Sequence, residues 1–120
     1  PLPRLRALSP EERAAFPVLG ASCHSLEDVR EAAELGCSYG TLGHIFPTGC
    51  KPGLPPRGVE LLAQVCQASP LPVYAIGGVG PGNIAQVKQA GAAGACVMSG
   101  FMTAPDPARL VGQLRKEAEL

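Results

Sequence analysis

Pro72-Val73-Tyr74-Ala75-Ile76-Gly77-Gly78 sets a short apolar run directly against two glycines, and Pro81 follows. The run reads as a strand that the glycines break. Pro81 then predicts a helix running to Gly91, with Pro just inside its start and Gly just past its end. The same unit recurs on both sides. Downstream, Ala95-Cys96-Val97-Met98 is a strand ending at Ser99-Gly100, and Asp106-Pro107 caps an amphipathic helix through Leu110, Val111 and Leu114. Upstream, Tyr39-Gly40-Thr41-Leu42-Gly43 is a strand that opens into a long Pro- and Gly-rich loop, His44 to Arg57. A helix from Gly58 through Val65 follows, and it has ended by Pro70. Before that, Pro17 to Ser22 forms the first strand. Ser25-Leu26-Glu27-Asp28 reads as a capping box for a helix carrying Leu26, Val29, Ala33 and Leu35, which stops at Gly36. Ser9-Pro10-Glu11-Glu12 caps a short helix leading into that strand.

Strict β-α alternation with nearly all-apolar strands predicts an α/β protein whose parallel strands are buried on both faces. A barrel and an open doubly wound sheet both fit. The strand ends favour the barrel, because polar, chemically capable residues follow the first two strands and glycine-rich turns follow the last two. In (β/α)₈ barrels the phosphate site commonly lies after strands seven and eight. The expectation is therefore strands five to eight, the C-terminal half of a TIM barrel, with residues 1–120 as one partial domain. The N-terminal half is expected upstream, since the chain begins Pro1-Leu2-Pro3-Arg4 without Met. A possible homodimer is the other way to close such a barrel, as an isolated half leaves two apolar edges.

Composition narrows the function classes. Ten basic and ten acidic side chains balance, which gives no electrostatic reason to expect nucleic acid or an anionic membrane surface. Aromatic residues are scarce and Trp is absent, so a base-stacking platform is not expected. No apolar run approaches the ~20 residues of a membrane span, and no signal peptide is visible. Cys23, Cys37, Cys50, Cys66 and Cys96 are dispersed without metal-ligand spacing. They read as reduced thiols of a cytoplasmic protein, with Cys66 and Cys96 as small buried hydrophobes. No metal site is expected.

The candidate chemistry gathers where strands end. Gly77-Gly78 lets backbone approach a ligand closely, and Ser99-Gly100 adds a hydroxyl and another bare N–H beside it, together a phosphate-type site. The alternative at Gly77-Gly78 is a tight turn with no ligand. The first strand–helix unit carries no GxGxxG turn, so this is not a Rossmann fingerprint. His44, directly after the second strand, suits general acid/base work; the alternative is a loop residue bonded to backbone. His24 could line the same mouth but reads more readily as structural. Lys51 could clamp a phosphate or carboxylate, or be an exposed solubilising charge. Cys50 could be a nucleophile, although nothing nearby argues for a lowered pKa.

Taken together, Ser22-Cys23-His24-Ser25, Gly43-His44-Ile45-Phe46-Pro47-Thr48, Ala75-Ile76-Gly77-Gly78-Val79 and Val97-Met98-Ser99-Gly100 resemble the thiamine-phosphate synthase superfamily, in order and with the right intervals. The resemblance runs from about Pro17 to the C-terminal helix and implies a (β/α)₈ barrel. Two activities share that fold: a synthase that joins a pyrimidine diphosphate to a thiazole phosphate with Mg²⁺, and a tautomerase that aromatises the thiazole carboxylate phosphate. Synthases usually carry Pro where this chain has His44 and Thr where it has Cys50. Both differences resemble the tautomerase branch, whereas Pro47 and Thr48 remain synthase-like. The first reading is a thiazole tautomerase that needs no cofactor, with His44 as the proton-transfer residue and a phosphorylated thiazole as ligand. In this reading Gly77, Gly78, Met98, Ser99 and Gly100 hold the phosphate. Thr48 belongs to the substrate-binding set, and Ser22 and Lys51 match synthase residues that contact the diphosphate. The alternatives are a Mg²⁺-dependent synthase and a non-catalytic phosphate-ligand binder on the same scaffold.

Overall fold

The computed structural model describes residues 1–49 and 51–119. Two short helices, α1 (Leu2–Ala7) and α2 (Pro10–Ala14), precede four strand–helix units: β1 (Gly20–Cys23) with α3 (Leu26–Glu34), β2 (Tyr39–Leu42) with α4 (Val59–Ala68), β3 (Val73–Ile76) with α5 (Ile84–Gln89), and β4 (Gly94–Cys96) with α6 (Ser99–Thr103) and α7 (Pro107–Ala118). The strands lie in sequence order and pair parallel throughout, with Gly20 beside Tyr39, Thr41 beside Tyr74, and Tyr74 beside Gly94. This is the α/β arrangement that the alternating pattern predicts.

Strand side chains alternate between two unlike faces. Ala21, Cys23, Leu42, Val73 and Ala75 point to one face and are buried there with Val29 and Ala32 of α3, Leu62 and Val65 of α4 and Val87 of α5. On the other face Tyr39, Thr41 and Tyr74 are half-buried, and Ser22 and Ile76 are exposed. The expectation that both faces are buried thus holds for one only, because the core of this chain lies between the sheet and its helices. The open face is shaped nonetheless. The rings of Tyr39 and Tyr74 meet edge to face at 5.6 Å. Glycines flank them because a Cβ at Gly20 would stand 2.2 Å from the Tyr39 ring and one at Gly94 2.9 Å from that of Tyr74.

Local signals explain the starts of α2, α3 and α7. Ser9 and Glu12 form the capping box expected of them. Ser25 Oγ accepts from Asp28 N at 3.1 Å, as predicted, but the Asp28 carboxylate accepts from His24 N at 2.8 Å, one residue before the position expected. Asp106 caps α7 through Arg109 N. The helix expected from Pro81 begins only at Ile84. Gly82 has φ +88°, and Asn83 spends its amide on Gly80 N and Gly78 O, so the intervening residues form a turn. Ser99-Gly100, expected as a bare turn, is the first turn of α6. Helix α1 had no clear sequence signal; Leu2 and Leu5 bury it near β1, and the Arg13 guanidinium caps its end at Leu5 O and Leu8 O. Among the described residues no helix is long and apolar enough to cross a membrane.

Candidate active site

A cavity of about 450 Å³ opens where the strands end at their carboxyl sides. Each strand delivers residues to it: Ser22 and His24 from the end of β1, Thr41, Gly43 and His44 from β2, Ile76 to Val79 from β3, and Cys96 to Ser99 from β4. The loop after β2 closes one wall with Thr48, Lys51, Leu54, Pro55 and Arg57.

That loop is laid across the sheet by backbone bonds. Ile45 N donates to Ile76 O at 3.1 Å and Phe46 N to Gly77 O at 3.0 Å, prolonging the parallel pairing beyond β2 and β3. Arg57 N then returns to His44 O at 2.8 Å and Gly58 N to Ile45 O at 3.0 Å, which ties the far end of the loop to its beginning. Gly77 and Gly78 permit the crossing. Both have positive φ, +98° and +69°. A Cβ on Gly77 would lie 2.2 Å from His44 Cβ, and one on Gly78 would lie 2.6 Å from Pro47 O. The glycine pair therefore serves the close approach of a neighbouring loop as well as lining the cavity. Asn83 braces the same turn, its Nδ2 donating to Gly78 O at 2.9 Å and its Oδ1 accepting from Gly80 N at 2.8 Å.

Most residues singled out in the sequence come together here. Ser22, His44, Thr48, Lys51, Gly77, Gly78, Met98 and Ser99 all line the cavity. Gly100 does not; it continues α6, where a Cβ would stand 3.2 Å from Val97 Cγ1. His24 lines the mouth as well, its Nδ1 3.7 Å from Asp28 Oδ2. Cys50 lies outside the described residues. His44 is 8% exposed, and its Nε2 sits 3.1 Å from Leu54 O. A carbonyl only accepts, so this bond places a proton on Nε2 and leaves Nδ1 free to accept when the ring is neutral.

The electrostatics are one-sided. Lys51 and Arg57 stand on the wall, and among the described residues no carboxylate lines the cavity. Neither cation forms an ion pair with a described residue. Burial pushes the Cys23 thiol up to about 11 and raises that of Cys96, so both are neutral near pH 7 and neither is a nucleophile there. No group of three or more His, Cys, Asp or Glu among the described residues could hold a metal ion. Sequence reasoning missed Arg57, Leu54 and Thr41. Arg57 left one trace, as the charge that closes a Pro-rich loop directly after a strand.

The model of one family, thiamine monophosphate synthase, matches residues 7–101. The chain belongs to the thiamine monophosphate synthase family. Relatives bearing the name thiamine-phosphate synthase include the protein of Caldivirga maquilingensis, 38% identical over 82% of this chain and 48% of its own length. That of Syntrophomonas wolfei is 36% identical over 97% of this chain and 53% of its own. The structure of thiamine phosphate pyrophosphorylase from Pyrococcus furiosus superposes with a TM-score of 0.79 at 33% identity, covering 92% of this chain and 54% of that one. The chain thus spans about half the length of these thiamine monophosphate synthase relatives.

Proposed function

We propose that this chain forms strands five to eight of a (β/α)₈ barrel and the anion-binding half of a thiamine-phosphate synthase. The observation that carries this reading is one cavity lined by two loop cations, a double-glycine turn and Ser99, with no carboxylate among its described lining residues. Such a cavity suits two phosphorylated reactants. The names of the family relatives point the same way and reverse the order of the sequence-based readings, in which the tautomerase stood first.

In the coupling reaction the ring nitrogen of the thiazole phosphate forms a C–N bond to the methylene of the pyrimidine. The C–O bond to diphosphate breaks, and diphosphate leaves with the electron pair. No proton needs to move. Gly77, Gly78 and Ser99 would seat the thiazole phosphate. Lys51, with the hydroxyls of Ser22 and Thr48, would meet the diphosphate as its charge grows, a stabilisation by preset cations and donors. His44 holds the loop through Leu54 O. The resemblance implies Mg²⁺, but the described residues lining the cavity include no carboxylate to hold it.

The test supplies the full-length protein with both phosphorylated substrates and Mg²⁺ and follows thiamine phosphate and pyrophosphate together. Stoichiometric formation of both is expected, and Lys51→Gln should lower kcat/KM by about 10- to 100-fold, the weight of one charge-assisted contact. No coupling by the wild type would refute the reading. His44, on the cavity wall where synthases usually carry Pro, keeps the tautomerase as a second reading. Metal-free aromatisation of the thiazole carboxylate phosphate, lost in His44→Asn, would establish it.

A further inference from the structure

Beside Lys51, the loop after β2 gives the cavity a second cation, Arg57. Arg57 closes the loop after β2, behind Pro55 and Pro56, whose fixed φ stiffens the approach. Its N–H donates to His44 O at 2.8 Å and its Nε–H to Gly43 O at 2.6 Å. The root and neck of the side chain are therefore pinned to the end of β2. Both Nη groups remain without a hydrogen bond or ion pair among the described residues, and Arg57 lines the same cavity as Lys51. A guanidinium held in this way presents its remaining N–H groups in a fixed plane, the geometry that matches phosphate oxygens two at a time.

We propose that Arg57 is a binding residue for the diphosphate group, working beside Lys51 and setting the preference of the loop wall for a diphosphate over a monophosphate. The charge distribution supports this assignment. Gly77, Gly78 and Ser99 offer the cavity neutral N–H and hydroxyl donors, whereas both cations that line it come from the loop after β2. The more highly charged ligand group is matched to the more highly charged wall. The inference rests on the synthase reading, and its test is independent of turnover.

Isothermal titration of inorganic pyrophosphate into the full-length protein is the measurement, with wild type, Arg57→Gln, Arg57→Lys and, as a reference, Lys51→Gln. Arg57→Gln should weaken pyrophosphate by about 10- to 100-fold. Arg57→Lys should recover only part of that, because a compact ammonium lacks the planar fork that holds Gly43 O through one nitrogen and phosphate oxygens through others. Pyrophosphate binding by Arg57→Gln at the wild-type affinity overturns the proposal, as does a wild type that binds none. Should Arg57→Gln not fold, Arg57→Lys decides, and wild-type affinity in that variant overturns it equally. The coupling assay on the same proteins separates the two readings. Coupling with Arg57-independent pyrophosphate binding refutes this inference alone. Arg57-dependent binding without coupling supports it and refutes the synthase.

Discussion

Gly77 shows how one residue joins the fold to the site. Its sequence signal, a glycine at the end of an apolar strand, announces a close approach without saying what approaches. The structure shows that His44 does, with 2.2 Å between its Cβ and the position a Gly77 Cβ would take. Replacing Gly77 by Ala should therefore cost about 2 kcal/mol or more, from positive φ and steric clash together. Urea unfolding would measure the loss. Cys23 gives a pH signature at the same scale. Burial lifts its pKa from 9.0 to about 11, so the unfolded thiol ionises first as pH rises. Stability from this group is complete below pH 9 and falls away between pH 9 and about 11. Unfolding curves across that range should show the decline, and Cys23→Ala should blunt it. His44 was legible as a residue at the strand end; its bond to Leu54 O was not, because ten residues of loop separate the pair.

Among the elements, caps were the most legible feature, since a cap needs only residues three or four apart. Ser25→Ala removes the acceptor for Asp28 N and should lower stability by about 1 kcal/mol in thermal unfolding. The start of α5 was less legible. Pro81 is a fair N-terminal signal, but the competing bonds of Asn83 within the turn delay the helix to Ile84. The same bonds hold Gly80 and the cavity-lining Gly78 in place. On the synthase reading, Asn83→Ala in the full-length protein should consequently raise KM for the thiazole phosphate several-fold in the coupling assay while Tm moves little. A large fall in Tm with unchanged KM would make Asn83 a fold residue only.

The whole molecule presents one finished face and one open one. Leu42, Ala75, Val29 and Leu62 are fully buried between sheet and helices, while Ile76 is 38% and Met98 66% exposed on the other side. The outer strands β1 and β4 each leave one edge without a partner among the described residues. A polypeptide of these 120 residues alone should therefore self-associate, giving a mass above 12.3 kDa by light scattering. A stable monomer at high concentration would show that the open face needs no cover.

By itself, the sequence determined the alternation of strands and helices, the parallel order, the capped helix starts and the glycine turns at the strand ends. These depend on periodicity and on side chains a few residues apart, which the linear order carries directly. Only the tertiary structure decided that one sheet face is open, that the loop from His44 to Arg57 folds back on the end of β2, and that Arg57 joins Lys51 on one wall. Those features arise from backbone bonds and packing between residues distant in the chain. No local pattern of residue types encodes which carbonyl a guanidinium fourteen residues away will find.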